Sequence, residues 1–267
     1  MVNPSLPPLH VNGDDVTQKN SLERFFIDNP SVAVAFSGGV DSSYLLYAAL
    51  HYGAKVKAYY VKTEFQPDFE YRDALQMAEN IGADIKVIDT TVLGNQSVIS
   101  NPENRCYFCK RAIFEKLTKQ AWADGFQLII DGTNASDDAS DRPGMKALEE
   151  LSIRSPLREC GISKDEIRNL SKQVGLFTWD KPAYACLATR IPTGMTITAE
   201  ILRSVEKSEE VLFSLGFTDF RVRVMDKAAK IQLPEDQMYK AIEKKTEIIN
   251  NIKQYFPNVL LDLEGRR

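Results

Sequence analysis

The stretch Val32-Ala33-Val34-Ala35-Phe36 runs straight into Ser37-Gly38-Gly39-Val40-Asp41-Ser42-Ser43. A short unbroken apolar run suits a strand covered on both faces, as in a parallel sheet. The two glycines can adopt positive φ and let backbone N–H groups converge on an anion. A helical stretch from Asp41 to His51 follows, and its N-terminus adds a dipole and unpaired amides. Ser37, Ser42 and Ser43 offer hydroxyl donors to the same place. The loop has no lysine and so is not the Gly-x4-Gly-Lys-Ser/Thr phosphate loop. It also lacks the Gly-x-Gly-x-x-Gly spacing of a dinucleotide fold.

Beyond this loop the chain alternates. Strands are expected at 55–61, 84–88 and 126–130, and helices at 68–81 and 107–123, with a polar loop over 90–104. The βαβαβαβ order with helix-length spacers predicts a parallel α/β sheet flanked by helices. Arg142-Pro143-Gly144 opens a short helix to about Leu151, and 152–157 reads as a fifth strand. Ser163-Lys164-Asp165-Glu166 is a capping box that starts a helix ending near Gly175. The composition changes after an irregular stretch, 177–198. A helix over 199–215, a hairpin of 220–225 with 229–233, a long charged helix over 234–255 and a last strand at 259–263 form a smaller ββαβ unit. The expected division is therefore 1–195, with 1–16 as a loose tail, and 196–267 as a smaller α+β domain.

Charge narrows the function classes. There are 33 basic and 37 acidic residues, a formal net charge of −4. A sequence-independent grip on nucleic acid normally needs a basic excess, so nucleic acid is disfavoured as a partner. The longest apolar run, Tyr44 to Leu50, has seven residues, against the roughly 20 a membrane span requires. The start of the chain has no basic, apolar leader pattern. A cytoplasmic protein without a membrane partner is expected.

Four cysteines do not make a secreted disulfide scaffold. Cys106-Tyr107-Phe108-Cys109 at a helix start is compatible with a redox pair, half a zinc site or part of an iron–sulfur site. Zinc usually takes four ligands, and a second pair is missing; the only histidines are His10 and His51. Cys186 stands alone in the irregular stretch. With Cys106 and Cys109 it would make a three-thiol set suited to a [4Fe-4S] cluster with one open iron, while buried, inert thiols remain the plain alternative. Cys160 has no assigned role. Arg221 and Arg223 are two apart on a strand and leave one face, about 7 Å apart. They can share one phosphate or simply alternate toward solvent.

Ser37-Gly38-Gly39-Val40-Asp41-Ser42 resembles the PP-loop ATP-pyrophosphatase superfamily over roughly 30–160. The likeness implies ATP cleavage between the α- and β-phosphates, an adenylylated substrate, and Mg2+ held partly by Asp41. A fuller likeness rests on residues 37–49, on Asp131-Gly132-Thr133-Asn134-Ala135-Ser136-Asp137-Asp138, and on Arg142-Pro143-Gly144. It continues in Cys186-Leu187-Ala188-Thr189-Arg190-Ile191-Pro192, residues 214–217, and Arg221-Val222-Arg223. Together these resemble the LarE family of ATP-dependent sulfur transferases, which make the nickel-pincer nucleotide of lactate racemase. The resemblance implies a pyridinium dicarboxylate mononucleotide substrate, a carboxylate adenylylated and then turned into a thiocarboxylate, and a homo-oligomer. It implies that Asp131, Gly132 and Thr133 lie near ATP and that Lys110 contacts its phosphates or the adenylate. It implies that Arg190, Glu209, Arg221 and Arg223 serve the substrate phosphate. Some members give up a cysteine sulfur; that position falls on Ala185, so Cys106, Cys109 and Cys186 are expected to hold a [4Fe-4S] cluster carrying sulfide or sulfur from another donor. Sacrifice of Cys186 itself is the competing expectation. A PP-loop amide-forming synthetase, a tRNA thiolase and a non-catalytic nucleotide binder are the alternatives from other classes.

Overall fold

The computed structural model describes residues 16–137 and 143–266. In chain order its elements are α1 (Val16–Asp28), β1 (Ser31–Ala35), α2 (Val40–His51), β2 (Lys55–Lys62), α3 (Asp68–Asn80), β3 (Ile85–Asp89), α4 (Gln96–Ile99), α5 (Arg105–Ala123) and β4 (Leu128–Asp131). Then come α6 (Pro143–Glu150), α7 (Pro156–Glu159), α8 (Lys164–Gln173), a 3-10 turn (Leu187–Arg190), α9 (Ala199–Ser214), β5 (Arg221–Met225), β6 (Ala228–Gln232), α10 (Met238–Glu243), α11 (Lys245–Ile252) and β7 (Asn258–Leu261). The tail expected over 1–16 lies outside the described residues except for Val16, which opens α1; Asp138 and Arg142 also lie outside them. The contacts divide the chain into two compact units at Tyr184, twelve residues before the expected boundary at 196. The first comprises the described residues of Met1–Thr63, Asp68–Thr90 and Asn104–Ala183, and the second Glu64–Pro67, Thr91–Glu103 and Tyr184 onward.

The first unit is a parallel sheet in the order β3-β2-β1-β4. Successive side chains alternate between its two faces, as the two-residue strand period requires. Val32, Val34, Tyr60 and Ile130 pack on one face with α2 and α8, and Ala33, Tyr59 and Ile129 on the other with α5. Both faces are therefore apolar, which is why β1 shows no polar alternation. β1 lies between β2 and β4, with Ala35 beside Asp131. The chain leaves β1 in one direction and later returns on its other side, so the carboxyl ends of β1 and β4 border the crevice where open α/β sheets bind ligands.

The second unit is a three-stranded sheet, β5-β6-β7. The β5–β6 pair is an antiparallel hairpin around Asp226-Lys227, and β7 runs parallel to β6. Asp226 has φ +52, the positive value a two-residue hairpin turn favours.

Three expectations change. The fifth strand at 152–157 is a single bridge, Arg154 to Ile130. Ser152 sits at φ +55, and Pro156, which has no N–H to give a ladder, starts α7 instead. The long helix over 234–255 breaks into a 3-10 turn, α10 and α11, because Lys244 leaves helical dihedrals at φ −89, ψ 12. The loop over 90–104 contains one helical turn, α4, capped by Asn95 and seated by buried Val98.

Candidate active site

In the first unit the loop after β1 is closed by its own side chains. Ser42 Oγ lies 3.0 Å from Ser37 Oγ, accepts from Ser37 N–H at 3.2 Å, and donates to the Gly39 carbonyl at 3.2 Å. Gly38 has φ +74, and a Cβ there would lie 2.7 Å from Ala74 Cβ, so α3 comes too near for any other residue. No side chain caps α2 at Gly39, which leaves the helix dipole to act on whatever occupies the loop. Gly132, at the end of β4, would place a Cβ 2.8 Å from Ser42 N. The two loops therefore touch only because residue 132 has no side chain.

A cavity of about 370 Å3 lies between these loops, lined by Ser37, Asp41, Ser42, Lys110, Asp131, Gly132, Thr133 and Asp137 among others. Eight residues expected at ATP or in its chemistry meet in this unit around the loops: Ser37, Gly38, Gly39, Asp41, Ser42, Asp131, Gly132 and Thr133. Lys110 joins them from α5, with its stem laid over Gly144, where a Cβ would stand 2.7 Å from Lys110 Cδ. Ser43 is fully buried and is not among the lining residues. Asp131 has little left to offer a ligand: its oxygens accept from Ser155 Oγ at 2.6 Å and Thr133 Oγ1 at 2.6 Å. It orients Thr133. Ser155 was not legible in the sequence, since nothing in its local pattern marks it.

Asp41 is the carboxylate with capacity to spare. Lys164 Nζ, from the first turn of α8, is 2.5 Å from its Oδ2. Oδ1 is buried and, among the described residues, has no hydrogen-bond partner. Burial pushes the Asp41 carboxyl above its ordinary value, against the pull of Lys164. One unpaired carboxylate oxygen on a residue that lines the cavity fits Mg2+, which takes one or two carboxylates and completes its shell with phosphates and water.

The expected cluster cysteines belong to both units. Cys106 and Cys109 are on the first turn of α5, in the first unit, with Arg105 Nη2 3.8 Å from Cys106 Sγ. Cys186 belongs to the second unit, where it precedes the 3-10 turn. Among the described residues no three His, Cys, Asp or Glu are grouped to hold a metal. Within the first unit Cys106 and Cys109 supply two thiols, fewer than the three a [4Fe-4S] cluster with one open iron needs. Cys160 packs beside the first unit's core, and burial, with Glu159 next to it, raises its thiol.

In the second unit Arg190 is 2 % exposed, and its Nε donates to Glu209 Oε1 at 2.9 Å. The same Glu209 accepts from Val222 N–H at 2.9 Å and from the Tyr184 hydroxyl. Glu209 thus anchors Arg190 and β5, with both of its oxygens engaged. Tyr184, which sequence reading missed, lies under two guanidiniums: Arg190 Cζ is 4.5 Å and Arg221 Cζ 5.0 Å from its ring centroid. Arg223 donates to Gln232 Oε1 at 2.6 Å and to the Thr189 carbonyl at 2.9 Å. Burial, then the positive charges of Arg190 and Arg266, push Arg221 down to about 10 and lower Arg223 too. Such a surplus of buried positive charge is relieved by an anion.

The family profile described as Thiamine biosynthesis protein (ThiI) matches residues 29–213. The chain belongs to this PP-loop family. Within it, the chain is 38% identical over 251 residues to an uncharacterised protein of Synechocystis sp., covering 92% of this chain and 93% of the other. It is 32% identical over 254 residues to pyridinium-3,5-bisthiocarboxylic acid mononucleotide synthase of Lactiplantibacillus plantarum, covering 94% and 92%. An uncharacterised protein of Methanocaldococcus jannaschii is 34% identical over 247 residues, covering 92% and 94%. The expected PP-loop membership, α/β fold and enzyme class therefore stand: this PP-loop protein is an ATP-dependent sulfur transferase. No helix among its described residues is long and apolar enough to cross a membrane.

Proposed function

We propose that this chain adenylylates a carboxylate of pyridinium-3,5-biscarboxylic acid mononucleotide and replaces it with a thiocarboxylate. A carboxylate oxygen of the substrate attacks the α-phosphorus of ATP and pyrophosphate leaves. Sulfide sulfur then attacks the acyl carbon, and AMP departs with the oxygen. Ser37, Gly38, Gly39, Ser42 and the α2 amides bind the departing phosphates, with Thr133 and Lys110 beside them. Mg2+, held by Asp41 Oδ1, would neutralise phosphate charge. The observation that carries the substrate reading is the group of four guanidiniums, Arg190, Arg221, Arg223 and Arg266, against two carboxylates, Glu209 and Asp219. It supports a phosphate monoester, and the Lactiplantibacillus relative is named for a mononucleotide product.

For the sulfur, the C-x-x-C spacing and the family resemblance support Cys106, Cys109 and Cys186 as the thiols involved, with a [4Fe-4S] cluster as carrier. Anaerobic iron and sulfide analysis tests that carrier. An intact chain mass after many turnovers with added sulfide fits a replaceable carrier; dehydroalanine at Cys186 fits sacrifice. A cytoplasmic homo-oligomer remains part of the same proposal. The test of the whole is incubation with the mononucleotide, Mg·ATP and sulfide, followed by mass spectrometry. Oxygen-for-sulfur exchange with AMP and pyrophosphate supports it; ADP and orthophosphate refute it. Arg223→Ala should raise the KM for the mononucleotide and leave that for ATP unchanged.

A further inference from the structure

Two guanidiniums of the second unit share one aromatic ring. Arg190 Nε donates to Glu209 Oε1 at 2.9 Å, and its Nη1 donates to the Ala185 carbonyl at 3.0 Å and the Thr189 hydroxyl at 2.7 Å. Arg221 Nη1 donates to the Phe220 carbonyl at 2.6 Å. Hydrogen bonds from a guanidinium lie in its plane, so they tie its edges and leave its faces to be covered by something else. The ring of Tyr184 covers both cations, with Arg190 Cζ at 4.5 Å and Arg221 Cζ at 5.0 Å from its centroid. The electron-rich face of a neutral ring attracts cations and offsets part of their mutual repulsion. Tyr184 stays neutral, since burial and then the charge of Glu209 push its hydroxyl far above the ordinary value. Both arginines are buried, where like charges without enough anions are costly. Packing alone would be served by an apolar side chain at either position.

We infer that Tyr184 is a positioning residue for the substrate: its ring holds the guanidiniums of Arg190 and Arg221 side by side, so that a phosphate monoester meets cations whose places are already set. The inference rests on the reading of the arginine group as the site of the substrate's phosphate. The cost of ordering two long charged side chains then falls on folding and not on binding. The ring carries this role and the hydroxyl does not. The hydroxyl donates to Glu209, which also accepts from Arg190 Nε and the Val222 N–H and stays compensated without it. The ring is what the two cations have in common, and an aliphatic side chain of similar size offers them no negative face.

Calorimetry with nicotinic acid mononucleotide, a pyridinium carboxylate bearing one phosphate, and with nicotinic acid riboside, the same molecule without it, isolates the phosphate's share. Tyr184→Leu should weaken binding of the mononucleotide by roughly tenfold, the loss of a desolvated cation–ring contact. The affinities for the riboside and for α,β-methylene-ATP should not change. In turnover, the KM for the biscarboxylate mononucleotide should rise while kcat stays the same. Tyr184→Phe, which keeps the ring and its shape, should restore the parent's affinity. Unchanged mononucleotide affinity in Tyr184→Leu overturns the inference, and so does an equal loss with the riboside, the mark of a merely structural role. A loss in Tyr184→Phe as large as the predicted one also overturns it, and this arm stands even where the leucine variant fails to fold. Arg223→Ala is the control: it should weaken the mononucleotide and spare the riboside. If it does not, the reading of the arginine group has failed and this inference with it; if it does while Tyr184→Leu binds as the parent does, only the role of Tyr184 has failed.

Discussion

Replacing Glu209 by alanine removes the acceptor for a buried guanidinium, a tyrosine hydroxyl and a backbone amide of β5 at once. Glu209 and Arg190 are each 2% exposed, so water cannot take over. Breaking one partner of a buried pair costs about 3–5 kcal/mol, because a desolvated charge is left uncompensated. We expect a loss of that size in the second unit. Removing the stranded cation as well, in Glu209→Ala/Arg190→Met, should cost less than the sum of the single changes by about 1–3 kcal/mol, the coupling typical of contacting groups. Both tryptophans, Trp122 and Trp179, belong to the first unit, so tryptophan fluorescence is a poor reporter. Amide hydrogen exchange along β6, which pairs with β5, reads the opening free energy directly. A loss below about 1 kcal/mol, or additive single changes, would show that Glu209 is not the support of the arginine group.

Further outcomes follow from the same geometry. Gly132→Ala would press a Cβ to 2.8 Å from Ser42 N; it should cost about 1–3 kcal/mol by overpacking and abolish adenylylation, measured as ATP–pyrophosphate exchange. Alanine at Cys106, Cys109 or Cys186 should stop sulfur transfer and spare that exchange, while Cys160→Ala should spare both; assaying the two steps separately on each variant checks this. Asp124 accepts from Lys86, Tyr59 and Gln120, and the Lys86 hydrogen bond leads the causes that hold its carboxyl below the usual range. A depressed folded value stabilises above the unfolded value near 3.9 and is lost as pH falls through the folded one. Acid unfolding of Asp124→Asn, followed by circular dichroism, should therefore be less steep below about pH 4 than in the parent.

Much of the framework was legible because it rests on signals within a few residues. Val32 to Ser42 determined a buried strand, a glycine loop and a helix, since strand period and backbone sterics act locally. The capping box at Ser163 and Glu166 and the hairpin at Asp226 are equally local, and each formed as read. The spacing of Arg221 and Arg223 fixed a shared strand face for the same reason. What the sequence left open depends on which distant side chains come within a few ångströms of each other. No period in the chain announces that Lys164 meets Asp41, that Ser155 meets Asp131, or that Tyr184 lies under Arg190 and Arg221. These contacts are made by chain closure, and their energy comes from burial and charge at sites that exist only after packing. The same cause explains the errors. Residues 152–157 read as a strand, but Ser152 at positive φ and Pro156 at the start of α7 leave one bridge to β4. The 234–255 pattern suited one helix, but the backbone leaves helical dihedrals at Lys244. Local sterics chose the elements, and tertiary packing chose which polar groups would be buried together and which carboxylate would keep an oxygen open.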